Sequence, residues 1–293
     1  MIAVHPFHDA ASGTFSYLLS DSAQRVAAVI DPVLDYCPAS GTLRTAAVEG
    51  IIERIERESL KLEWILETHV HADHLSAARF LRSRLGGVVA IGARVRETRC
   101  HFARRFNWDA DRDAPAGGFD RLLHEGDRLM LGEAVIEVLE TPGHTPESLS
   151  FHCAGELFVG DTLFMPGAGT ARSDFPGGDA GELYDSIGRI LSFPAETRLR
   201  LCHDYGTPQR RSRCGCTTVA AQAGNEFLAA APDRQSFALA RRLRDQGLAA
   251  PRLLYPSLQF NLRGGRTPPP EANGERYFKI PLQLAPELRA LPL

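Results

Sequence analysis

Thr68-His69-Val70-His71-Ala72-Asp73-His74 puts three imidazoles and a carboxylate into six consecutive positions, 69–74. An apolar run, Trp64-Ile65-Leu66, precedes it, and an amphipathic stretch from Leu75 to Leu85 follows. The pattern predicts a strand over 64–68, a ligand-dense loop, and a helix over 75–85. His69 and His71 are two apart, so in extended chain they project to the same side. Asp73 stands where the chain would enter the helix and suits its N-cap. A polar loop that caps a helix explains Asp73 but not three histidines. So many nitrogen and oxygen donors at one point imply a transition-metal site.

The rest of the chain sets the frame. At 293 residues it is long enough to bury a large core, and 44% apolar with 24% charged residues is ordinary globular composition. A net charge of −3 argues against nucleic acid or an anionic membrane as the main partner. No apolar run is long enough to span a bilayer, and Met1 to Pro6 lacks the basic and apolar regions of a secretory signal. The six cysteines (Cys37, Cys100, Cys153, Cys202, Cys214 and Cys216) are scattered, unlike a disulfide framework. They suit a reducing cytoplasm. The Cys214-Gly215-Cys216 pair is the exception and could serve redox or soft-metal chemistry.

Strands are expected over 15–19, 26–30, 88–91 and 199–202, and as hairpins over 128–131 with 134–139 and 149–152 with 157–159. Helical stripes run through Val48, Ile51, Ile52 and Ile55, over 94–106, over 182–192 and over 234–246. Residues 109–119 read as loop. Pro251 to Leu293 reads as irregular but carries apolar anchors such as Leu253, Phe260 and Phe278, so it is expected to pack as an extension. Strand-rich segments flanked by helices fit one sandwich with helices outside better than a doubly wound parallel sheet. We therefore expect one α/β domain over 1–293, with a core of about 1–225 and an extension of about 226–293.

Three further donors stand at strand ends: His144 in Thr141-Pro142-Gly143-His144-Thr145, Asp161 in Gly160-Asp161-Thr162, and His203 in Cys202-His203-Asp204-Tyr205. Rigid strands then fix the loop roots, and the loops carry the chemistry. His5, His8, His101, His124 and His152 lack partner donors nearby and read as structural or exposed.

His-X-His-X-Asp-His, then Pro-Gly-His-Thr, then Gly-Asp, then a late His, over about residues 14–205, resembles the metallo-β-lactamase superfamily. The resemblance implies an αββα sandwich with the metal site at the edge of its two sheets, and gives Asp31 a supporting role behind the metal loop. Two chemistries follow from the donor set. If all seven positions bind, His69, His71 and His144 hold one ion and Asp73, His74 and His203 the other, with Asp161 bridging: a two-metal hydrolase. If only His69, His144 and Asp161 bind, the site is the two-His-one-carboxylate face of non-haem Fe(II) oxygenases.

The flanking residues favour the second. Glu67-Thr68-His69, Ala72 to Ala78, Gly169-Thr170-Ala171-Arg172-Ser173-Asp174-Phe175, Cys202 to Gly206 and Thr217-Thr218-Val219 are similar to the persulfide dioxygenase branch. That resemblance implies one Fe(II) per chain on His69, His144 and Asp161. It makes His71, Asp73, His74, His203 and Asp31 orienting partners, and glutathione persulfide and O2 the substrates, yielding glutathione and sulfite. It further implies Arg172 as a bidentate carboxylate clamp, Tyr205 near the bound sulfur or oxygen, a role in sulfide detoxification, and a homodimer. The extension resembles that of a bacterial subgroup labelled hydrolase-like. The alternatives are a dinuclear zinc thioesterase of the glyoxalase II kind and a non-catalytic sulfur-species binder resting on Cys214 and Cys216.

Overall fold

Alternation along two neighbouring strands shows how the layers form. On β2 (Phe15–Asp21) and β3 (Val26–Ile30), Tyr17, Leu19, Val26, Ala28 and Ile30 face one core while Leu18, Ala27 and Val29 face another. Successive side chains of a strand point to opposite faces, so a sheet covered on both sides buries every position. This computed structural model describes residues 1–108, 118–204, 206, 213–285 and 287.

The chain opens with β1 (Ala3–His8), which pairs antiparallel with β2 at the edge of the first sheet. Pro6 lies within β1, and an edge strand tolerates its missing N–H. After β3 come the hairpin β4 (Val33–Cys37) and β5 (Thr42–Arg44), helix α1 (Ala46–Arg57) and β6 (Lys61–Leu66). The ligand loop follows, then β7 (Leu75–Ser76), α2 (Ala78–Leu85), β8 (Val88–Gly92), α3 (Val95–Phe106) and β9 (Arg121–Leu123). The second half holds β10 (Arg128–Leu131), β11 (Ala134–Glu140), β12 (Leu149–Cys153), β13 (Glu156–Phe158), α4 (Ala180–Leu191), β14 (Arg198–Arg200) and β15 (Cys216–Thr218). Helices α5 (Glu226–Ala230), α6 (Arg234–Asp245) and α7 (Leu254–Asn261) complete it.

Two six-stranded sheets result, in the orders β1-β2-β3-β6-β8-β9 and β10-β11-β12-β13-β14-β15, with a small sheet β5-β4-β7 beside them. Between them, Tyr17, Ile30 and Leu66 pack with Leu129, Ile136, Phe151 and Phe158. Outside the first sheet, Val29, Ile65 and Val89 meet Ile51 and Ile55 of α1 and Leu81 of α2. Outside the second, Leu157 and Leu199 meet Leu183 and Ile187 of α4 and Phe237 of α6. Each such side chain contributes roughly 1.5–3 kcal/mol on burial. The layering is helix–sheet–sheet–helix, the αββα sandwich expected. No helix among the described residues is long and apolar enough to cross a membrane.

Three expectations need correction. The helix after the ligand loop begins at Ala78, not at 75, because Leu75 and Ser76 pair with Leu34 and Val33 of β4. Asp73 therefore caps no helix; Ala77 holds that position without a side-chain bond. The extension is not irregular throughout. Helix α7 lies in it, and Leu258, Phe260 and Leu262 join the first outer core. The loop expected over 109–119 lies outside the described residues except for Gly118 and Phe119.

Candidate metal centre

Each expected donor follows a strand: the 67–74 loop follows β6, His144 follows β11, Asp161 follows β13 and His203 follows β14. Two glycines allow the close approach. Gly160 has φ +52° and a Cβ there would lie 2.8 Å from Thr68 Oγ1. Gly143 has φ +130° and a Cβ would meet the Leu183 nitrogen at 2.3 Å. Only a residue without a side chain fits either place.

The hydrogen bonds fix two histidine tautomers. His144 Nδ1 lies 2.7 Å from the Arg172 carbonyl, which only accepts, so Nδ1 carries the proton and Nε2 a lone pair. Thr68 Oγ1 donates its one hydrogen to Asp31 Oδ2 at 2.8 Å. Its oxygen then accepts from His69 Nδ1–H at 3.0 Å, which leaves His69 Nε2 with a lone pair too. Burial, with His71 and His144 nearby, holds the His69 pKa well below the ordinary histidine value, so the ring is neutral. Both Nε2 atoms point at Asp161 Oδ2, at 3.9 Å from His69 and 3.8 Å from His144. That is too long for hydrogen bonds and within the span of two metal–ligand bonds of about 2.0–2.2 Å. His69, His144 and Asp161 thus form a three-donor set, with both histidines buried and Asp161 partly exposed, suited to a transition-metal ion.

The other expected donors lie beside this set and are largely turned to one another. His71 Nε2–H donates to Asp31 Oδ1 at 3.1 Å, with Glu67 Oε2 at 3.3 Å. Burial opposes a charge on His71, but Asp31 and Glu67 outweigh it and raise its pKa well above the ordinary value. His203 Nε2 sits between Asp161 Oδ1 at 3.4 Å and Asp73 Oδ2 at 3.5 Å. Burial is again the largest single influence, yet Asp161, the Cys202 thiol and Asp73 together raise the His203 pKa well above the ordinary value. His74 Nδ1 contacts Asp73 Oδ2 and Thr14 Oγ1, both at 3.3 Å. Its buried Nε2 has no hydrogen-bond partner among the described residues.

Asp31 is the hub behind the site. At the end of β3, with φ +50°, it accepts from the Thr68 N–H at 2.7 Å as well as from the Thr68 hydroxyl and His71.

Sequence reasoning missed four supports. Glu67 accepts from the Ser76 hydroxyl and flanks His71. Glu147 accepts from Val70 N–H at 3.2 Å and from the Thr98 hydroxyl at 2.6 Å. The buried Cys202 thiol lies within 4.8 Å of Asp161 and His203 donor atoms, and burial pushes its pKa up. Asn261 of α7 donates to the His71 carbonyl at 2.8 Å and the His74 carbonyl at 2.9 Å, and accepts from Ser76 N–H at 2.8 Å. One amide of the extension thereby grips the ligand loop from behind. Glu67, beside the histidine cluster, was the one signal the sequence offered.

Arg172 lies at a cavity of about 860 Å³ that opens over His69, His144 and Asp161. Its fork is engaged: Nε and Nη2 donate to Asp174 at 2.6 and 2.7 Å, and Nη1 donates to the Ala249 carbonyl at 2.8 Å. Its carbonyl, not its guanidinium, is what orients His144. Tyr205 lies outside the described residues. All six cysteines are free, and neither Cys214 nor Cys216 lines the cavity.

Comparison with known proteins gives the family. Residues 11–203 match the family model of the metallo-β-lactamase superfamily. A probable metallo-hydrolase of Burkholderia pseudomallei is 45% identical over 96% of this chain and 99% of its own. Longer relatives named β-lactamase hydrolase-like proteins are 41% identical in one case, and there the chain spans 64% of the relative's length. The human mitochondrial persulfide dioxygenase ETHE1 is 30% identical over 70% of this chain and 69% of its own. Among solved structures, ETHE1 from Myxococcus xanthus superposes with a TM-score of 0.71, at 29% identity over 90% of this chain and all of that one. The chain belongs to the metallo-β-lactamase superfamily, where it is similar to the persulfide dioxygenase branch.

Proposed function

We propose that the chain is a persulfide dioxygenase that holds one Fe(II) on His69, His144 and Asp161 and converts glutathione persulfide, O2 and water to glutathione, sulfite and two protons. The observation that carries this reading is the pair of fixed tautomers, which aim two lone pairs at one carboxylate oxygen and leave His71 turned to Asp31 and Glu67. A ferrous ion bound there supplies electrons and open coordination positions for O2.

The chain's own residues do the rest. Thr68 and Asp31 hold the His69 ring, and the Arg172 carbonyl holds that of His144. His203 keeps a proton at Nε2 between the Asp161 and Asp73 carboxylates, within reach of the cavity it lines. Asp161 and His203 thus stay fixed while the substrate enters, and orientation of this kind sets how well a metal site performs. On this reading Arg172 exchanges Asp174 for a substrate carboxylate.

A second reading has one observation in its favour. The unpartnered His74 Nε2, with His71 and Asp73, forms another donor set, which suits a dinuclear zinc hydrolase acting on thioesters. The name of the Burkholderia relative points the same way. Anaerobically prepared protein is expected to consume about one O2 and release about one sulfite per glutathione persulfide. Thioester turnover with no O2 uptake contradicts the proposal and favours the hydrolase.

A further inference from the structure

Five arginines line the cavity above the metal triad: Arg44, Arg172, Arg241, Arg244 and Arg252. Two are neutralised within the protein. Arg172 is paired with Asp174, and Arg241 donates to Asp245 Oδ1 from Nε at 2.9 Å and Nη2 at 2.6 Å. The other three are exposed and form no ion pair among the described residues. Arg244 lies over the Phe227 ring at 5.4 Å, a contact that holds the guanidinium without cancelling its charge.

The acidic residues of the cavity are engaged elsewhere. Asp9 accepts from the Ser12 N–H and hydroxyl at 2.8 and 2.6 Å. Asp35 accepts from Ala47 N–H at the start of α1 at 2.8 Å. Asp73 and Asp161 belong to the metal centre. The protein as a whole carries a net charge of −3, so this cluster is not the background of a basic protein. Like charges gathered in a concave site repel one another, and an anionic ligand relieves that repulsion.

We propose that Arg44, Arg244 and Arg252 form an anion-binding wall that receives the anionic tail of the thiol whose sulfur reaches the metal triad. The proposal rests on the persulfide reading for the sulfur end alone; the wall acts on the tail. Arg44 comes from β5, Arg244 from α6 and Arg252 from the segment leading to α7. Three guanidinium groups drawn from three elements suit a ligand with more than one anionic group. The carboxylates of a peptide thiol and the phosphates of a nucleotide-bearing thiol share that chemistry, and guanidinium forks match both. A cavity of about 860 Å³ accepts a ligand of this size.

Calorimetric titration of the metal-loaded protein with inert thioethers tests the wall without any reaction. S-Methylglutathione is expected to bind, to lose roughly tenfold in affinity in each of Arg44→Gln and Arg252→Gln, and to weaken with added salt. S-Methylcysteine, which lacks the additional carboxylate, is expected to bind roughly tenfold less tightly than S-methylglutathione. Tighter binding of S-methyl-coenzyme A with the same arginine dependence supports the wall and assigns it to phosphates. Equal affinity of wild type and both variants for every anionic thioether, or no binding of any, overturns the proposal. Because none of these ligands reacts, a failure to take up O2 leaves this result standing, and a failure to bind leaves the oxygenase reading to its own test.

Discussion

The ligand loop is held between two regions of unlike chemistry. On its cavity side, His69 faces Asp161 Oδ2 across 3.9 Å and His144 faces the same oxygen across 3.8 Å, a geometry that an ion completes. On its back, Asn261 makes three bonds of 2.8–2.9 Å to the same loop and its sequel, with every polar atom of its amide matched. The cavity face is built for a ligand and is unsatisfied without one. The rear face is satisfied by the protein itself. The difference teaches that donors suited to a metal are kept apart by a scaffold stable enough to hold their spacing.

Breaking the cavity face has the largest expected effect. His144→Ala or Asp161→Ala is expected to remove bound iron and bring turnover to the background rate, because a three-ligand site does not retain its metal on two. Retention of iron and activity in either variant would remove that residue from the site, and metal analysis with an O2 electrode decides.

Breaking the rear face should be costly in another way. Asn261→Leu leaves the His71 and His74 carbonyls and the Ser76 N–H without partners. The expected loss is about 3–5 kcal/mol in chemical denaturation of the metal-free protein. Metal affinity is expected to fall about 10- to 100-fold as the loop loosens. A variant as stable as wild type would show that the extension only covers the loop.

Thr68→Val sharpens the contrast, since it keeps the shape and removes the link between His69 Nδ1 and Asp31. Metal affinity should fall about 10-fold with little change in the cooperativity of unfolding. Unchanged affinity would mean that His69 does not depend on this relay for its tautomer.

The smallest effect separates the cavity rim from the sealed interior through thiol acidity. The Ser40 hydroxyl and the Ser40 and Ala39 N–H groups hold the Cys37 pKa below that of an ordinary thiol, and Cys37 lines the cavity. Burial, aided by Glu156, pushes Cys153 up to about 11. Alkylation followed by mass spectrometry should mark Cys37 first near neutral pH and leave Cys153 unmodified in the folded protein. Early labelling of Cys153 would mean that the core between the sheets opens readily.

The same two faces explain what the sequence disclosed. The cavity face was legible because metal ligands are rare residue types at tight spacing, and His69, His144, Asp161 and His203 each follow a short apolar strand. A sandwich with helices outside was legible in the order of strand-rich and helical segments and in the apolar stripe of α1, and its αββα form was what the resemblance to the superfamily implied. The rear face was not legible. Asn261 reaches residues nearly two hundred positions away, and a single asparagine carries no local pattern. Its helix was hidden as well: α7 has Pro256 in its first turn and buried residues all round, so neither a polar face nor a clean start marks it. Asp73 misled because its residue type suits an N-cap, while pairing of Leu75 and Ser76 with β4 delays the helix to Ala78. The Arg172 motif lies at the cavity, but the partner of its fork, Asp174, is only two residues on and was read as part of the same motif.

The central claim is one iron on His69, His144 and Asp161, with the His71, Asp73 and His74 set serving to position them. Metal counting on anaerobically prepared wild type and on an Asp73→Asn/His74→Ala double variant tests it most directly. The account predicts about one iron per chain in both proteins. Two ions in the wild type and one in the double variant would contradict it.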